Sequence, residues 1–142
     1  MIIRRAEKRD VERLVGLMGQ LGYKVSQGAL EENLHSYGSA VLVAEMHGRA
    51  VGCLAYHILP QFHSEERFMR IVSLVVDEIV RGMGIGKRLL REAEAIASTE
   101  GCSVIELTSG THRIESGAHA FYQAQGYLAE GQKVYFRKEL SS

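Results

Sequence analysis

The sequence predicts a mixed α/β fold, in which an antiparallel meander precedes a parallel strand pair joined by a crossover helix. Three observations carry this. A run rich in β-branched residues, Ile71-Val72-Ser73-Leu74-Val75-Val76, leads into a turn with glycine at every second position: Gly82, Gly84 and Gly86. An amphipathic helix pattern leads out of it, with Ile85, Leu89, Ala93, Ile96 and Ala97 inward and Lys87, Arg91, Glu92 and Glu94 outward. A further strand, Val104 to Thr108, follows Gly101, which closes that helix.

The other elements follow in order. Ile2 to Arg5 reads as a first strand. Asp10 is expected to cap a helix whose Val11, Leu14, Val15, Met18 and Leu21 share one face, with Gly22 ending it. Ser26 is expected to start a second short helix carrying Leu30 and Leu34. Ala40 to Glu45 and Ala50 to His57 read as strands joined by a turn at His47-Gly48. Pro60 ends the second of these, Gln61 to Arg67 is a polar loop, and Phe68 to Val76 is the next strand. Past the glycine turn and its helix, Ser116 to Gln125 is expected to be helical, and two last strands flank Gly131. The resulting order, β-α-α-β-β-β-α-β-α-β-β, gives a mixed sheet with helices on both sides.

Composition bounds the function. At 142 residues the chain suits one domain with a real core. Hydrophobic content of 46% and charged content of 24% are those of an ordinary soluble globule. Seventeen basic and seventeen acidic residues cancel, so no general attraction to nucleic acid or to a membrane surface is expected. The N-terminus has no apolar signal core and no apolar run approaches ~20 residues, so a cytoplasmic location is expected. Cys53 and Cys102 form neither a disulfide framework nor a Cys-x-x-Cys metal pair and read as buried free thiols.

The most informative stretch is Val80 to Leu90. Its glycines strip side chains from a strand-to-helix turn. Bare amides at a helix N-terminus, with the positive end of the helix dipole, form an anion site. Arg81, Lys87 and Arg88 add positive charge. Two familiar phosphate loops fail against these letters. A Walker A loop needs glycine where Arg81 stands and Ser or Thr where Arg88 stands. A dinucleotide fingerprint needs its third glycine where Lys87 stands, although Glu106 lies at a suitable distance for a ribose contact.

Arg81, Gly84 and Gly86 do satisfy Arg-x-x-Gly-x-Gly. Here the chain resembles the GNAT superfamily of acetyl-CoA-dependent N-acetyltransferases, whose loop of form Gln/Arg-x-x-Gly-x-Gly/Ala binds the coenzyme A pyrophosphate. A second block, from Ala118 through Phe121-Tyr122 to Gly126-Tyr127, is similar to the family's Ala-x-x-Phe-Tyr-x-x-x-Gly-Phe/Tyr element. The resemblance covers nearly the whole chain and implies one GNAT domain over residues 1–142, whose central parallel strands splay to admit the pantetheine arm. It implies acetyl-CoA as cosubstrate, held by Arg81, Gly82, Met83, Gly84, Ile85, Gly86 and Lys87 and by the backbone of Leu74, Val75 and Val76. Tyr122 joins this set. So does Glu115, at a place where many members carry an asparagine that contacts pantetheine; Ser109, Thr111 or His112 can take over that contact. A homodimer is open for a member of this size.

Acetyl transfer to an amine sets further demands. An alkylamine of pKa ~10.4 needs about 4.6 kcal/mol to be neutral at pH 7. No acid lies between Arg70 and Val76, where some members place a carboxylate, and Ser73 occupies that place. The base stays open among His57, His63, Glu65, Glu66, Glu78 and water. By the resemblance, the Val76 amide polarises the thioester carbonyl, and the Tyr122 hydroxyl protonates the departing thiolate. Direct attack by the amine needs no acyl-enzyme, so neither cysteine need be catalytic.

For the acceptor, Gln61-Phe62-His63, Leu74-Val75-Val76 and Ala118-His119-x-Phe121-Tyr122 look similar to small bacterial aminoalkylphosphonate N-acetyltransferases, in which a divalent metal has a role. No structural zinc spacing is present here. His57, Gln61, His63, Arg70 and His112 are the expected acceptor contacts, with Arg67 and Arg113 as further cations for an anionic group. Aminoglycosides, polyamines and protein N-termini stay open as acceptors, as does a non-catalytic acyl-CoA-binding sensor.

Overall fold

The computed structural model describes residues 1–109, 117–129 and 136–140. The chain divides into two compact units, Met1–Thr108 and Ser109–Ser142. The first unit contains a five-stranded sheet in the order β1 to β5: β1 (Ile2–Arg5), β2 (Val41–Met46), β3 (Arg49–Pro60), β4 (Arg67–Val76) and β5 (Cys102–Leu107). The first three pairings are antiparallel and the last is parallel. The helices are α1 (Val11–Gln20), α2 (Gln27–Tyr37) and the crossover helix α3 (Ile85–Thr99). The mixed α/β architecture and the element order through β5 are those expected.

Local signals explain most boundaries. The Ser26 hydroxyl accepts from the Ala29 amide at 3.1 Å and caps α2. His47 and Gly48 both take positive φ (52° and 76°), the twist that a two-residue hairpin between β2 and β3 requires. Asp10 departs from its expected role. A 3₁₀ turn over Lys8–Asp10 precedes α1, and the Asp10 side chain makes no capping bond to that helix. It accepts instead from the Glu7 amide at 2.7 Å and, through both oxygens at 2.8 Å, from Arg4. Arg4 also reaches Glu45 on β2 at 3.0 Å, so an ion cluster ties β1 and β2 to the entry of α1. Burial pushes the Asp10 carboxyl up, but the bonds from Arg4 and Glu7 outweigh it and hold the group below its usual range.

The two faces of the sheet take different helices. On one, Leu14 and Leu17 of α1 pack on Val41, Val43, Cys53 and Val75, with Leu30 and Leu34 of α2 alongside. Leu17 is fully buried although absent from the expected stripe. On the other, Ile85, Leu89, Leu90, Ala93 and Ala97 of α3 are buried. The backbone of β3 comes close to α3 at Gly52. A Cβ there would stand 3.1 Å from Leu89 Cδ1 and 3.2 Å from Ile85 Cγ2. Cys53 is buried as expected, whereas Cys102, the first residue of β5, is only half-buried.

The second unit contains a short helix, α4 (Ala118–Ala124), within the stretch expected to be helical. Ser116, expected to begin it, lies outside the described residues. The two last expected strands fall largely on residues 130–135, also outside them, and 127–129 and 136–140 carry no strand.

Gly52→Val should lower stability by about 1–3 kcal/mol, because its branches enter space already held by Leu89 and Ile85. Urea unfolding checks this, with a lower midpoint at unchanged slope as the expected result.

Candidate functional site

The site is built where β4 loses a neighbour. Parallel pairing to β5 runs from Arg67↔Cys102 to Ile71↔Leu107 and stops. Beyond Ile71 the β3 edge of β4 remains paired, Ser73↔Ala55 through Val76↔Gly52, while the opposite edge has no strand partner among the described residues. The register between β3 and β4 slips by one at this point: Tyr56 faces Ile71 and Ala55 faces Ser73, so Val72 is a bulge residue. The Asp77 amide bonds back to Val51 on β3, so by strand alternation the backbone groups of Val75 also face β3 while those of Leu74 and Val76 lie on the open edge, the condition under which an extended ligand can pair as an added strand.

The strand then runs into the glycine loop. Asp77 and a 3₁₀ turn over Glu78–Val80 come first, then Arg81 to Gly84, then α3. Gly82 and Gly84 adopt φ of 83° and 77°, left-handed backbone that side-chain-bearing residues rarely enter. Gly84 is the N-cap of α3 and brings no capping side chain; the first intrahelical bond is Arg88 N–H to Gly84 C=O at 3.1 Å. The amides of residues 85–87 thus lack intrahelical acceptors and lie at the positive end of a 15-residue helix. No acidic residue occupies its first turn, and Arg81, Lys87 and Arg88 are exposed. Arg81 Nε donates to the Val76 carbonyl at 3.3 Å, which folds its side chain back across the turn.

The loop is anchored by a residue that sequence reading missed. Asp77 is buried, 4% exposed, and accepts from Arg13 Nη2 at 2.8 Å, Gln20 Nε2 at 3.2 Å and the Ile79 amide at 3.2 Å. Its own amide donates to Val51 at 2.8 Å. Gln20 Oε1 accepts from the Glu78 amide at 3.0 Å, and Arg13 Nε donates to Ala50 C=O at 3.1 Å. The hydrogen bond from Arg13 is the main reason the Asp77 carboxyl is held below its ordinary range. Both ends of α1 thereby grip the strand end that carries the loop. The only sequence sign was an acid placed directly after a buried apolar strand.

A cavity of about 320 Å³ opens beside the β4 bulge. Its wall includes Leu14 and Met18 of α1, Leu30, Leu34 and Tyr37 of α2, Cys53 and Ala55 of β3, and Val72 and Ser73 of β4. Burial pushes the Cys53 thiol up to about 12, so it stays neutral and inert at physiological pH.

The expected acceptor contacts are dispersed. His57 is exposed on β3 and stacks on the Tyr37 ring, centroids 4.5 Å apart. Arg70, half-buried on β4, is its register partner. Gln61 and His63 sit in the β3–β4 hairpin, at the opposite end of β4 from the glycine loop. None of these four lines the cavity. Glu78 is exposed beside the loop. His112 and Glu115 lie outside the described residues. Within the second unit, Tyr122 on α4 is half-buried, its ring edge-on to Phe121 and Tyr127 at 5.4 and 6.3 Å. The Ser109 hydroxyl is buried with no hydrogen-bond partner among the described residues. Among those residues no three His, Cys, Asp or Glu side chains gather as a metal site, and no helix is long and apolar enough to cross a membrane.

Comparison with known proteins agrees with this geometry. Residues 8–127 match the model of a family described as the acetyltransferase (GNAT) family. The chain is 28% identical over 130 residues to an aminoalkylphosphonate N-acetyltransferase of Salmonella typhimurium, covering 88% of this chain and 83% of that protein. It is 28% identical over 135 residues to the human N-acetylaspartate synthetase, covering 87% of this chain but only 43% of that longer protein. Its fold superposes with a TM-score of 0.82 on an aminoglycoside N-acetyltransferase solved with CoA, at 19% identity and covering 98% and 95% of the two chains.

Asp77→Asn should cost about 1.5–3 kcal/mol near neutral pH, since Arg13 and Gln20 lose a charged acceptor. The folded-state pKa is depressed, so the contribution is present above the unfolded value near 3.8 and disappears as pH falls below it. The stability gap between the two proteins should therefore begin to narrow as pH falls through about 3.8 and close only below the still lower pKa of the folded carboxyl, and a gap that does not narrow with falling pH contradicts the assignment.

Proposed function

The chain belongs to the GNAT acetyltransferase family, and from that premise we propose that residues 1–142 form one N-acetyltransferase domain that moves the acetyl group of acetyl-CoA to a small primary amine. The observation that carries this is the junction of an open β4 edge with a glycine loop that caps α3. The family uses acetyl-CoA as cosubstrate, and each part of that molecule has a counterpart here. The diphosphate suits the amides of residues 85–87, with Arg81, Lys87 and Arg88 balancing its charge. The pantetheine amides suit the strand edge at Leu74 and Val76. Ser109, whose buried hydroxyl has no hydrogen-bond partner among the described residues, is the candidate for the pantetheine contact that the family's asparagine makes, since Glu115 stands in that place.

The chemistry is direct attack. A neutral amine adds to the thioester carbonyl, the C–S bond breaks, and the acetamide leaves as the thiolate departs. A peptide amide of the open edge polarises the carbonyl as charge builds on its oxygen; Leu74 stands nearer the bulge, whereas Val76, the residue expected from the resemblance, lies at the loop end of the strand. The Tyr122 hydroxyl gives a proton to the coenzyme A sulfur and is reprotonated, through water, by the proton the nitrogen sheds on becoming an amide. Glu78, exposed beside the loop, is the candidate proton acceptor for the incoming ammonium, through water, whereas His63 stands at the far end of β4. The relative from Salmonella typhimurium names one acceptor class, an aminoalkylphosphonate. An amine on a small body is the feature this proposal takes from it.

Thiol release from acetyl-CoA in the presence of an amine panel tests the reading, with acetylated amine confirmed by mass. Tyr122→Phe should reduce kcat about 10²-fold with little change in the KM for acetyl-CoA; undiminished turnover refutes the acid assignment. Gly84→Glu forces a side chain into left-handed backbone and an anion into the phosphate site, and should raise the acetyl-CoA Kd at least about tenfold. Unchanged affinity by calorimetry refutes the loop assignment.

A further inference from the structure

The cavity beside the β4 bulge carries a statement about the acceptor that the family does not supply. Its wall is formed by thirteen residues of the first unit: six aliphatic side chains from Leu14, Val25, Leu30, Leu34, Val41 and Val72, together with Met18, Ala55, Cys53, two tyrosines, Asn33 and Ser73. No Asp, Glu, Lys, Arg or His is among them. Its polar groups are all uncharged: the Tyr23 and Tyr37 hydroxyls, the Asn33 amide, the Ser73 hydroxyl and the Cys53 thiol. His57 and Arg70 stand further along β3 and β4 and do not line it.

Two of the lining residues, Val72 and Ser73, are those at which β4 leaves β5. The cavity therefore abuts the open edge on which the thioester arm is placed, and an amine lodged in it faces that arm. Size bounds the occupant. Benzene fills a cavity of ~150 Å³, so about 320 Å³ takes a body of roughly ten to thirteen non-hydrogen atoms.

Resting on the acetyltransferase reading above, we infer that the acceptor is a primary monoamine carried on an apolar aliphatic or aryl body, whose body fills this cavity and whose nitrogen faces the β4 bulge. A polyamine or aminoglycoside brings further ammonium groups, and a buried ammonium without a carboxylate is strongly disfavoured. A phosphonate brings a charge that needs Arg or Lys donors, which the described wall lacks. One reacting amine on an apolar body meets neither obstacle. The tyrosine hydroxyls and Asn33 leave room for one or two neutral polar substituents.

The experiment measures kcat/KM for n-alkylamines from propyl to hexyl and for phenethylamine, against aminomethylphosphonate and spermidine, with CoA binding measured separately by calorimetry. The expected result is a rise of about fourfold per added methylene and a preference of at least about tenfold for phenethylamine over both charged acceptors. A flat alkyl series, or a phosphonate or polyamine that matches phenethylamine, overturns the inference while leaving the acetyltransferase reading intact. Failure to bind CoA, or to acetylate any amine, removes that reading and this inference together. Leu30→Glu, which adds a carboxylate to the wall from α2, should shift the ratio of spermidine to phenethylamine at least about tenfold toward spermidine. An unshifted ratio in the folded variant counts against the inference, and the wild-type series decides the matter if the variant does not fold.

Discussion

Strand β4 is hydrogen-bonded along both edges as far as Ile71 and, among the described residues, along one edge beyond it. A row of backbone groups left on an open edge must be met by water or by another chain of amides. In most sheets such an edge is a hazard to be blunted. Here it begins at two residues of the cavity wall, Val72 and Ser73, and ends at the glycine loop, so the unmet groups point to a use. The bulge at Val72 and the departure of β5 coincide, which turns the strand at the place where it loses its partner.

An open strand end holding a loop of exposed amides needs a fixed support. The ladder to β3 supplies part of it. The rest comes from Asp77, whose carboxylate receives donors from two residues of α1 and from the turn itself. A buried carboxylate so satisfied is costly to disturb, because losing either partner leaves a charge without a counterpart. The Arg4–Asp10–Glu45 cluster does similar work at the other end of the same helix entry, where it joins β1 and β2. The two buried acids, Asp10 and Asp77, hold α1 at both of its connections to the sheet. Helix α1 therefore serves two purposes: its apolar face forms one wall of the cavity, and its polar residues position the glycine loop.

The charge distribution separates two regions. Cations and bare amides gather at the start of α3, while no described residue of the cavity wall is charged. A molecule with an anionic head and a neutral arm is matched from one region toward the other. A neutral environment around the reacting nitrogen also favours the unprotonated amine that attack requires, since burial disfavours its charged form.

Much of this was legible in the chain. Ser26, His47-Gly48, Gly82, Gly84 and Gly101 marked boundaries through capping and backbone preferences that act over a few residues. The apolar periods of β4 and α3 marked the strand–loop–helix unit, and its letters sufficed for the family. Three things were not legible. Asp10 looked like a cap and proved to be an ion-pair partner, because Arg4 lies on a neighbouring strand and a short turn separates the acid from the helix. Asp77 was missed, because its partner Arg13 is 64 residues away. The cavity drew its wall from five elements, two of them helices whose apolar residues read as ordinary core. The sequence by itself determined where strands and helices begin, which turn must be glycine, and which family the loop belongs to, since these depend on neighbours along the backbone. Only the tertiary structure decided where β4 loses β5, which carboxylate holds the loop and how apolar the cavity beside the bulge is, since each depends on residues that meet only when the sheet has formed.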